Sequence, residues 1–187
     1  MNLAASQILA VPALRSRALA ALAGALAVAL ASQVAVPLPG TPVPMTLAPL
    51  AVVLVGGLLG PRVGASALVA FLAMGAAGLP VFAPGGLPGA ARLLGPTGGY
   101  LLAYPVAALA AGVVTARGAG WARAAGAPAL GLLVVHVGGA AQLAALTGSA
   151  GQAVAMGLVP FVVGDLVKIG VAALVLRRFA GSARSLR

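Results

Sequence analysis

Two charged side chains lie three residues apart in the apolar segment PFVVGDLVKIGVAALVL near the end of the chain. Asp165 is the only acidic residue among the 187 residues, and Lys168 is the only lysine. An ionised group inside a membrane costs several kcal/mol, about 2.5–3.5 on insertion scales. Positions three apart share one face of a helix, so the carboxylate and the ammonium can pair or hold a small ligand together. This pair is the first candidate for a functional site.

The chemistry of the pair indicates what it can bind. A carboxylate offers only acceptors and an ammonium only donors. Side by side they suit a small polar group that has both N–H and C=O, such as an amide or a cyclic urea. The alternative is that Asp165 and Lys168 neutralise each other and hold helices together. An apolar bundle does not need such a pair, since replacing buried ion pairs by apolar residues is often neutral or stabilising.

Further candidates lie in the Pro/Gly-rich loop at 79–99 and at the start of the segment that follows it. Arg92 is the natural bidentate partner of a carboxylate, and loops of this length are usually functional. The motif GPTGGY at 95–100 would direct free N–H groups and the Tyr100 hydroxyl at the site. The alternatives are an exposed charge and an aromatic residue at the membrane interface. With the ion pair, these residues describe an elongated ligand with a neutral polar head and an acidic tail.

The composition predicts the elements that position these residues. The chain is 62% hydrophobic and 6% charged, and its apolar stretches recur at the length that spans a bilayer. Strand alternation is absent and open sheet edges are excluded from lipid, so we predict a single all-α membrane domain over residues 1–187. The first apolar run is interpreted as a span and not as a cleaved leader. The six predicted transmembrane helices cover about 18–36, 45–59, 63–78, 100–116, 128–146 and 156–176.

The arginines predict the orientation of these helices. With the N-terminus in the cytoplasm, one arginine falls outside, Arg92, and the others fall inside: Arg15, Arg17, Arg62, Arg117, Arg123, Arg177, Arg178, Arg184 and Arg187. This bias follows the positive-inside rule and predicts that both termini are cytoplasmic. It places Asp165 and Lys168 in the outer half of the sixth span, on the side of Arg92. The net charge of +10 is then a topology and lipid-headgroup signal and does not indicate nucleic acid.

Missing residue types exclude several functions. The chain has no cysteine and one histidine, His136, so its side chains do not make a metal site, and His136 is interpreted as a hydrogen-bonded packing residue. A lysine confined to the middle of a span excludes a phosphate-binding P-loop and ATP hydrolysis by that route. A second carboxylate for acid–base catalysis is missing, so we predict that the chain is not an enzyme. A small intramembrane enzyme and a ligand-free scaffold subunit remain the alternatives.

Four stretches of the chain resemble the BioY family, the biotin-specific substrate-binding components of energy-coupling-factor transporters. They are SQVAVPLPGTPVPMTLAPLAVVLVGGLLGPRVG, GAAGLPVFAPGG, LLGPTGGYLLAYPVAALAAG and PFVVGDLVKIGVAALV. They extend over most of residues 32–176, and their most specific parts are LGPTGGY and PF-x-x-GD-x-x-K. The resemblance implies a six-helix membrane protein that captures biotin at the outer face with high affinity and uses no cofactor.

The resemblance also implies roles for the candidate residues. Asp165 and Lys168 match the residues of the sixth helix that contact the ureido ring of biotin. Arg92 and Tyr100 match residues expected near the valeryl carboxylate. Substrate binding is therefore expected at these four residues.

Partners are implied in the same way. Relatives work with a membrane coupling protein and two ATPases, in the inner membrane of bacteria, and small residues of the first helix dock on the coupling protein. In this chain those residues are Ala20, Ala21, Gly24 and Ala25, which repeat at a spacing of four. Close packing of helices within the protein is the alternative role for such spacing.

Overall fold

The computed structural model describes residues 3–118 and 120–179, with side chains described from residue 14 onward. The described chain is predominantly helical. Its α-helices are α1 Leu3–Gln33, α2 Ala48–Leu59, α3 Pro61–Ala76, α4 Ala91–Leu94, α5 Gly98–Ala116, α6 Trp121–Thr147, α7 Ala150–Gly157 and α8 Val162–Phe179. A single 3₁₀ turn, Val159–Phe161, joins α7 to α8. Two short antiparallel strands, β1 Ala35–Val36 and β2 Met45–Thr46, close the proline-rich loop after α1.

The helix lengths agree with a membrane protein. Four helical segments of the described chain are long and apolar enough to cross a bilayer: Leu14–Gln33, Gly98–Ala116, Trp121–Thr147 and Ala150–Phe179. Helices α2 and α3 have 12 and 16 residues. At a rise of 1.5 Å per residue they extend about 18 and 24 Å, less than the hydrocarbon core of about 30 Å. The predicted helical, multi-pass membrane class is confirmed, and by length four segments qualify as crossings.

Several predicted boundaries differ from the observed ones. Helix α6 begins at Trp121 and includes Pro128, where the prediction started the helix. Proline is tolerated inside membrane helices because neighbouring groups satisfy the carbonyl that it leaves free. The predicted sixth span is interrupted between α7 and α8, where Pro160 has no N–H to donate. The strand pair β1–β2 was not predicted, because a two-residue strand shows no alternation in sequence.

Glycines allow the helices to cross closely around α5, which packs against α2, α3 and α6. Gly56 of α2 lies against the backbone of Ala108, where an added Cβ would overlap the carbonyl. Gly99 of α5 lies against the carbonyl of Gly138 on α6 in the same manner. Lipid provides no hydrophobic driving force between helices, so close backbone approach of this kind supplies much of the packing attraction. These crossings position α5 and α6, which carry three of the cavity's polar side chains, Tyr100, Tyr104 and His136.

The small residues of α1 pack mainly inside the protein. Ala25 is fully buried, and a Cβ on Gly24 would lie 3.0 Å from Val55 on α2 and 3.1 Å from Ala67 on α3. Ala20 and Ala21 are only half-buried. Gly24 and Ala25 thus already contact other parts of the chain, and docking of the four residues on a partner stays a prediction. Their spacing serves helix packing within the chain.

Candidate functional site

The ion pair lies at the beginning of α8, as the spacing in the sequence predicts. Lys168 Nζ lies 3.0 Å from Asp165 Oδ1, and both residues are buried, with 7% and 8% of their surfaces exposed. Asp165 is in the first turn of the helix, where the helix dipole stabilises a negative charge. The sulfur of Met45 and its methyl group pack on Gly164, and this contact brings the β2 segment beside the pair.

His136 joins this pair from α6, which sequence reasoning did not predict. Its Nε2 contacts the second carboxylate oxygen of Asp165, Oδ2, so each oxygen of the carboxylate has one protein partner. The two residues are 29 positions apart, and a lone histidine in an apolar run has no local pattern that pairs it with an aspartate. The signal in the sequence was that both are unique residue types within apolar segments.

The helix break before α8 provides another polar group of the site. In a continuous helix the Gly157 carbonyl would accept from Phe161, but the N–H of Phe161 donates to Leu158. The Gly157 carbonyl therefore lacks this helical partner, and it accepts a hydrogen bond from the Tyr100 hydroxyl at 2.7 Å. His136 Nδ1 lies 3.2 Å from the same oxygen. Tyr100 is therefore connected to His136 by the shared Gly157 carbonyl, and the ring of Tyr100 packs on Gly139.

Arg92 is carried by the short helix α4 and is buried, with 6% of its surface exposed. Its Nη2 donates to the carbonyl of Ala83 at 2.8 Å, and within the described chain its buried Nε has no hydrogen-bond partner. Burial lowers the pKa of the guanidinium, because desolvation disfavours the charged form. Asp165 is the only side-chain carboxylate in the sequence and is already in contact with Lys168 and His136. The guanidinium thus lacks an acidic side chain to pair with.

Two glutamines form hydrogen bonds to the segments before and after Arg92. Gln142 of α6 donates to the carbonyls of Leu93 at 3.0 Å and Gly95 at 2.6 Å. Gln33, the last residue of α1, donates to three consecutive carbonyls from Pro80 to Phe82, at 3.3–3.4 Å. Both amides connect residues 47 or more positions apart, so sequence inspection does not assign them a role. They hold the loop over the site.

The four predicted binding residues line one cavity. It encloses about 600 Å³ of space between protein atoms, part of it open to solvent. Its lining consists of Ser32, Val43, Pro44, Thr46, Ala48, Pro49, Phe82, Ala83, Arg92, Thr97, Tyr100, Leu101, Tyr104, Val135, His136, Phe161, Asp165 and Lys168. Pro44, Arg92 and Thr97 also line a second cavity of about 540 Å³ under the 84–87 loop. Arg92 thus stands where the two spaces meet.

The cavity combines three chemical environments. Asp165 and Lys168 provide an acceptor and a donor, Arg92 provides an incompletely paired cation, and aromatic and aliphatic side chains provide the rest of the wall. The rings of His136 and Phe161 lie 5.9 Å apart between centroids, and those of Tyr100 and His136 lie 6.1 Å apart. Groups of three or more metal-ligating side chains are absent from the described residues. The arrangement suits binding of an amphiphilic organic anion.

Comparisons with known proteins agree with this site and fold. The "Probable biotin transporter BioY" of Pyrococcus horikoshii is 40% identical over 141 residues, covering 75% of this chain and 83% of the relative. The "Biotin transporter BioY" of Rhodobacter capsulatus is 37% identical over 182 residues, covering 89% and 93%. The crystal structure of the S-component for biotin from an ECF-type ABC transporter matches with a TM-score of 0.76 and 29% identity, covering 89% of this chain and 90% of that one.

The fold and the enclosed site define a membrane-embedded S component, the substrate-binding subunit class of ECF-type transporters. The model of the BioY family matches residues 4–185, nearly the whole chain. The chain belongs to the BioY family. Because the relatives are transporters, this membership agrees with the expectation that the chain is not an enzyme.

Proposed function

We propose that this protein is the high-affinity biotin-binding component of an ECF-type vitamin uptake transporter. The observation that carries the proposal is one cavity lined by an acceptor–donor pair and by an incompletely paired guanidinium, joined by an apolar aromatic wall. Biotin has the matching parts: a cyclic ureido group, an apolar ring and chain, and a carboxylate. The names of the relatives and the matching crystal structure support the same ligand.

The ureido head is assigned to the ion-pair end of the cavity. The Asp165 carboxylate would accept from a ureido N–H, and Lys168 would donate to the ureido oxygen. The aromatic side chains of the cavity would cover the apolar ring.

The carboxylate is assigned to Arg92. The unpaired Nε–H of this buried guanidinium would gain a partner from a planar carboxylate, which can accept two parallel hydrogen bonds. Tyr100, which donates to the Gly157 carbonyl, acts by holding the wall of the cavity.

We further propose that the chain crosses the inner membrane of a bacterial cell six times, with both termini in the cytoplasm. The support is the arginine bias, together with the close packing of the shorter helices α2 and α3 against the long helix α5. The cavity would then open to the outer side, where Arg92 lies.

Energy would come from partner subunits, a coupling protein and ATPases. A groove of about 1670 Å³, part of it open to solvent, lies at the opposite end of α2 from the cavity. It is lined by Leu14, Arg17, Ala18, Ala21, Leu22, Leu59, Gly60, Pro61, Arg62, Val63, Ser66 and Ala116. We propose this groove, which includes the half-buried Ala21, as the part of α1 that a coupling protein would reach, with Ala20 beside it.

The proposed ligand is tested by titrating the purified protein with biotin in a calorimeter. We expect a dissociation constant well below micromolar, and at least a thirtyfold loss in Asp165→Asn, since breaking a buried charge pair costs about 2–5 kcal/mol. Ser66→Ala is the control and should bind as the wild type, because Ser66 lies near the start of α3, where its hydroxyl donates to the Val63 carbonyl, and does not line the cavity. Binding no tighter than micromolar, or unchanged binding in Asp165→Asn, would refute the proposal.

The proposed orientation is tested with single cysteines, because the chain has none of its own. Leu87→Cys lies in the loop beside Arg92, at a position with 59% of its surface exposed, and Gly120→Cys lies before α6, where an added Cβ meets no atom within 4 Å. In intact cells a membrane-impermeant maleimide should label Leu87→Cys alone. Labelling of Gly120→Cys without lysis would contradict the orientation.

A further inference from the structure

His136 is a polar group of the cavity to which the proposed ligand contacts give no role. It lies on α6, and its ring stands between two oxygens that belong to other elements. Nε2 contacts Asp165 Oδ2 on α8, and Nδ1 lies 3.2 Å from the carbonyl of Gly157 at the end of α7. The ring is also close to the aromatic rings of Tyr100 and Phe161. These contacts restrain the ring on several sides.

The hydrogen-bond inventory determines where the ring must carry a proton. A carboxylate and a peptide carbonyl both accept hydrogen bonds only. The Gly157 carbonyl already accepts a hydrogen bond from the Tyr100 hydroxyl, whereas Asp165 Oδ2 has His136 as its hydrogen-bond partner within the described chain. A ring with its proton on Nε2 satisfies the contact with Asp165, and a doubly protonated ring satisfies both contacts. A proton on Nδ1 alone would require the carboxyl group to be protonated.

The charges around the ring favour an ionised Asp165. Lys168 from α8 donates to Oδ1, and the cation Arg92 from α4 lines the same cavity. Tyr100 from α5, whose hydroxyl donates to Gly157, and Tyr104, also on α5, are the other titratable groups of the cavity wall. The single negative charge therefore lies beside Lys168 and in the same cavity as Arg92, and these cations stabilise the carboxylate form.

We infer that His136 is a positioning residue for ligand recognition: it donates its Nε2 proton to Asp165 and so holds that carboxylate, ionised and in one orientation, for the N–H groups of the ligand. The inference rests on the proposed function. A carboxylate with Lys168 on one oxygen and His136 on the other cannot rotate without breaking a bond, so its remaining lone pairs keep a defined direction. His136 thereby sets the preference for a head group that bears N–H donors at the ureido spacing.

Two substitutions separate this role from simple packing. The amide nitrogen of His136→Gln can take the position of Nε2 and donate to Asp165, whereas that of His136→Asn matches Nδ1 and falls short of the carboxylate. We expect biotin binding to weaken by about tenfold to a hundredfold in His136→Asn and to be largely restored in His136→Gln. Thermal unfolding of both variants checks that they are folded. Equal affinities in the two variants would overturn the inference.

The relative affinities for a series of ligands give a second test, because a purely structural role of His136 would not change them selectively. In His136→Asn, the preference for biotin over a ureido N-methyl derivative should shrink, since the acceptor for that N–H is no longer held. The preference for biotin over its methyl ester measures the contact between the ligand carboxylate and Arg92, and it should remain as in the wild type. An equal loss of both preferences would count against a specific action through Asp165.

The protonation state can be observed directly, because the chain has one histidine and one acidic residue. With ¹⁵N-labelled histidine in an untagged protein, we expect a proton on Nε2 at neutral pH, and with ¹³C-labelled aspartate an ionised carboxylate signal. A proton on Nδ1 alone would refute the inference. This measurement needs no biotin, so a failure of the proposed ligand appears as lack of binding by the wild type, and a failure of the inference appears in the spectrum.

Discussion

Lys168 donates to Asp165 across 3.0 Å on the first turns of α8, so the only lysine of the chain pairs with its only acidic residue. Both are buried against the wall of the cavity. Because each partner is largely desolvated, removing either one leaves an uncompensated charge, and such losses are far larger than those of surface pairs. The pair is thus both the polar end of the proposed site and its most sensitive point.

The first prediction concerns reversal of this pair. Asp165→Lys combined with Lys168→Asp keeps one positive and one negative charge on the same helix face, but it exchanges the positions of acceptor and donor. Biotin binding, measured by calorimetry, should be lost by at least a hundredfold while the protein still folds. Near-normal binding by the reversed protein would show that the pair is structural. Lys168→Met, which leaves the carboxylate without Lys168 as a partner, should lose both binding and thermal stability.

The second prediction concerns Arg92. Arg92→Lys retains a positive charge and loses the planar fork, so affinity for biotin should fall about tenfold or more while affinity for biotin methyl ester changes little. Arg62→Lys, at the α2–α3 turn and away from the cavity, is the matched control. An equal loss for biotin and its ester would place the carboxylate elsewhere.

The pH dependence at Arg92 follows from the direction of its pKa shift. Burial lowers the pKa of the guanidinium, so the cation would be lost, and with it the carboxylate contact, only as pH rises through that lowered value. Arginine starts from so high a pKa that it remains charged in proteins near neutrality. The ratio of affinities for biotin and its methyl ester should therefore stay constant between roughly pH 6 and 9. A decrease of this ratio with rising pH across the same interval would contradict recognition by Arg92.

The third prediction concerns the loop that carries Arg92. Gln142→Ala removes the amide that donates to Leu93 and Gly95 and leaves two carbonyls without that partner. We expect faster biotin release, by about tenfold, and faster proteolysis within residues 79–97. Gln152→Ala, at an exposed position of α7, is the control. Unchanged release in Gln142→Ala would show that the loop is held by other contacts.

The fourth prediction compares two glycines on α6. A Cβ at Gly139 would overlap the ring of Tyr100, whereas a Cβ at Gly126 meets no atom within 4 Å. Gly139→Ala should displace Tyr100, lower the melting temperature and weaken binding, because overpacking a core typically costs about 1–3 kcal/mol. Gly126→Ala should be neutral or slightly stabilising, since alanine is the better helix former. Similar behaviour of the two variants would contradict the packing of Tyr100 on Gly139.

Residue types and their local spacing were enough to predict the helical membrane class and the ion pair on one helix face. The cost of burying charge in lipid makes Asp165 and Lys168 conspicuous, and the spacing of three makes them neighbours without any knowledge of the fold. The long loop and the GPTGGY motif indicated Arg92 and Tyr100, the resemblance implied their roles, and the structure places all four side chains around one cavity. Their roles in binding remain predictions.

The tertiary structure alone decided which distant groups meet. The contact of His136 with Asp165, the freed carbonyl of Gly157 and the anchoring of the loop by Gln142 join residues that lie far apart in sequence. No local pattern encodes such contacts, because they depend on how close glycine-lined crossings let α5, α6 and α8 approach. The sequence by itself therefore determined the polar chemistry of the protein, and the packing of its helices decided how that chemistry is arranged.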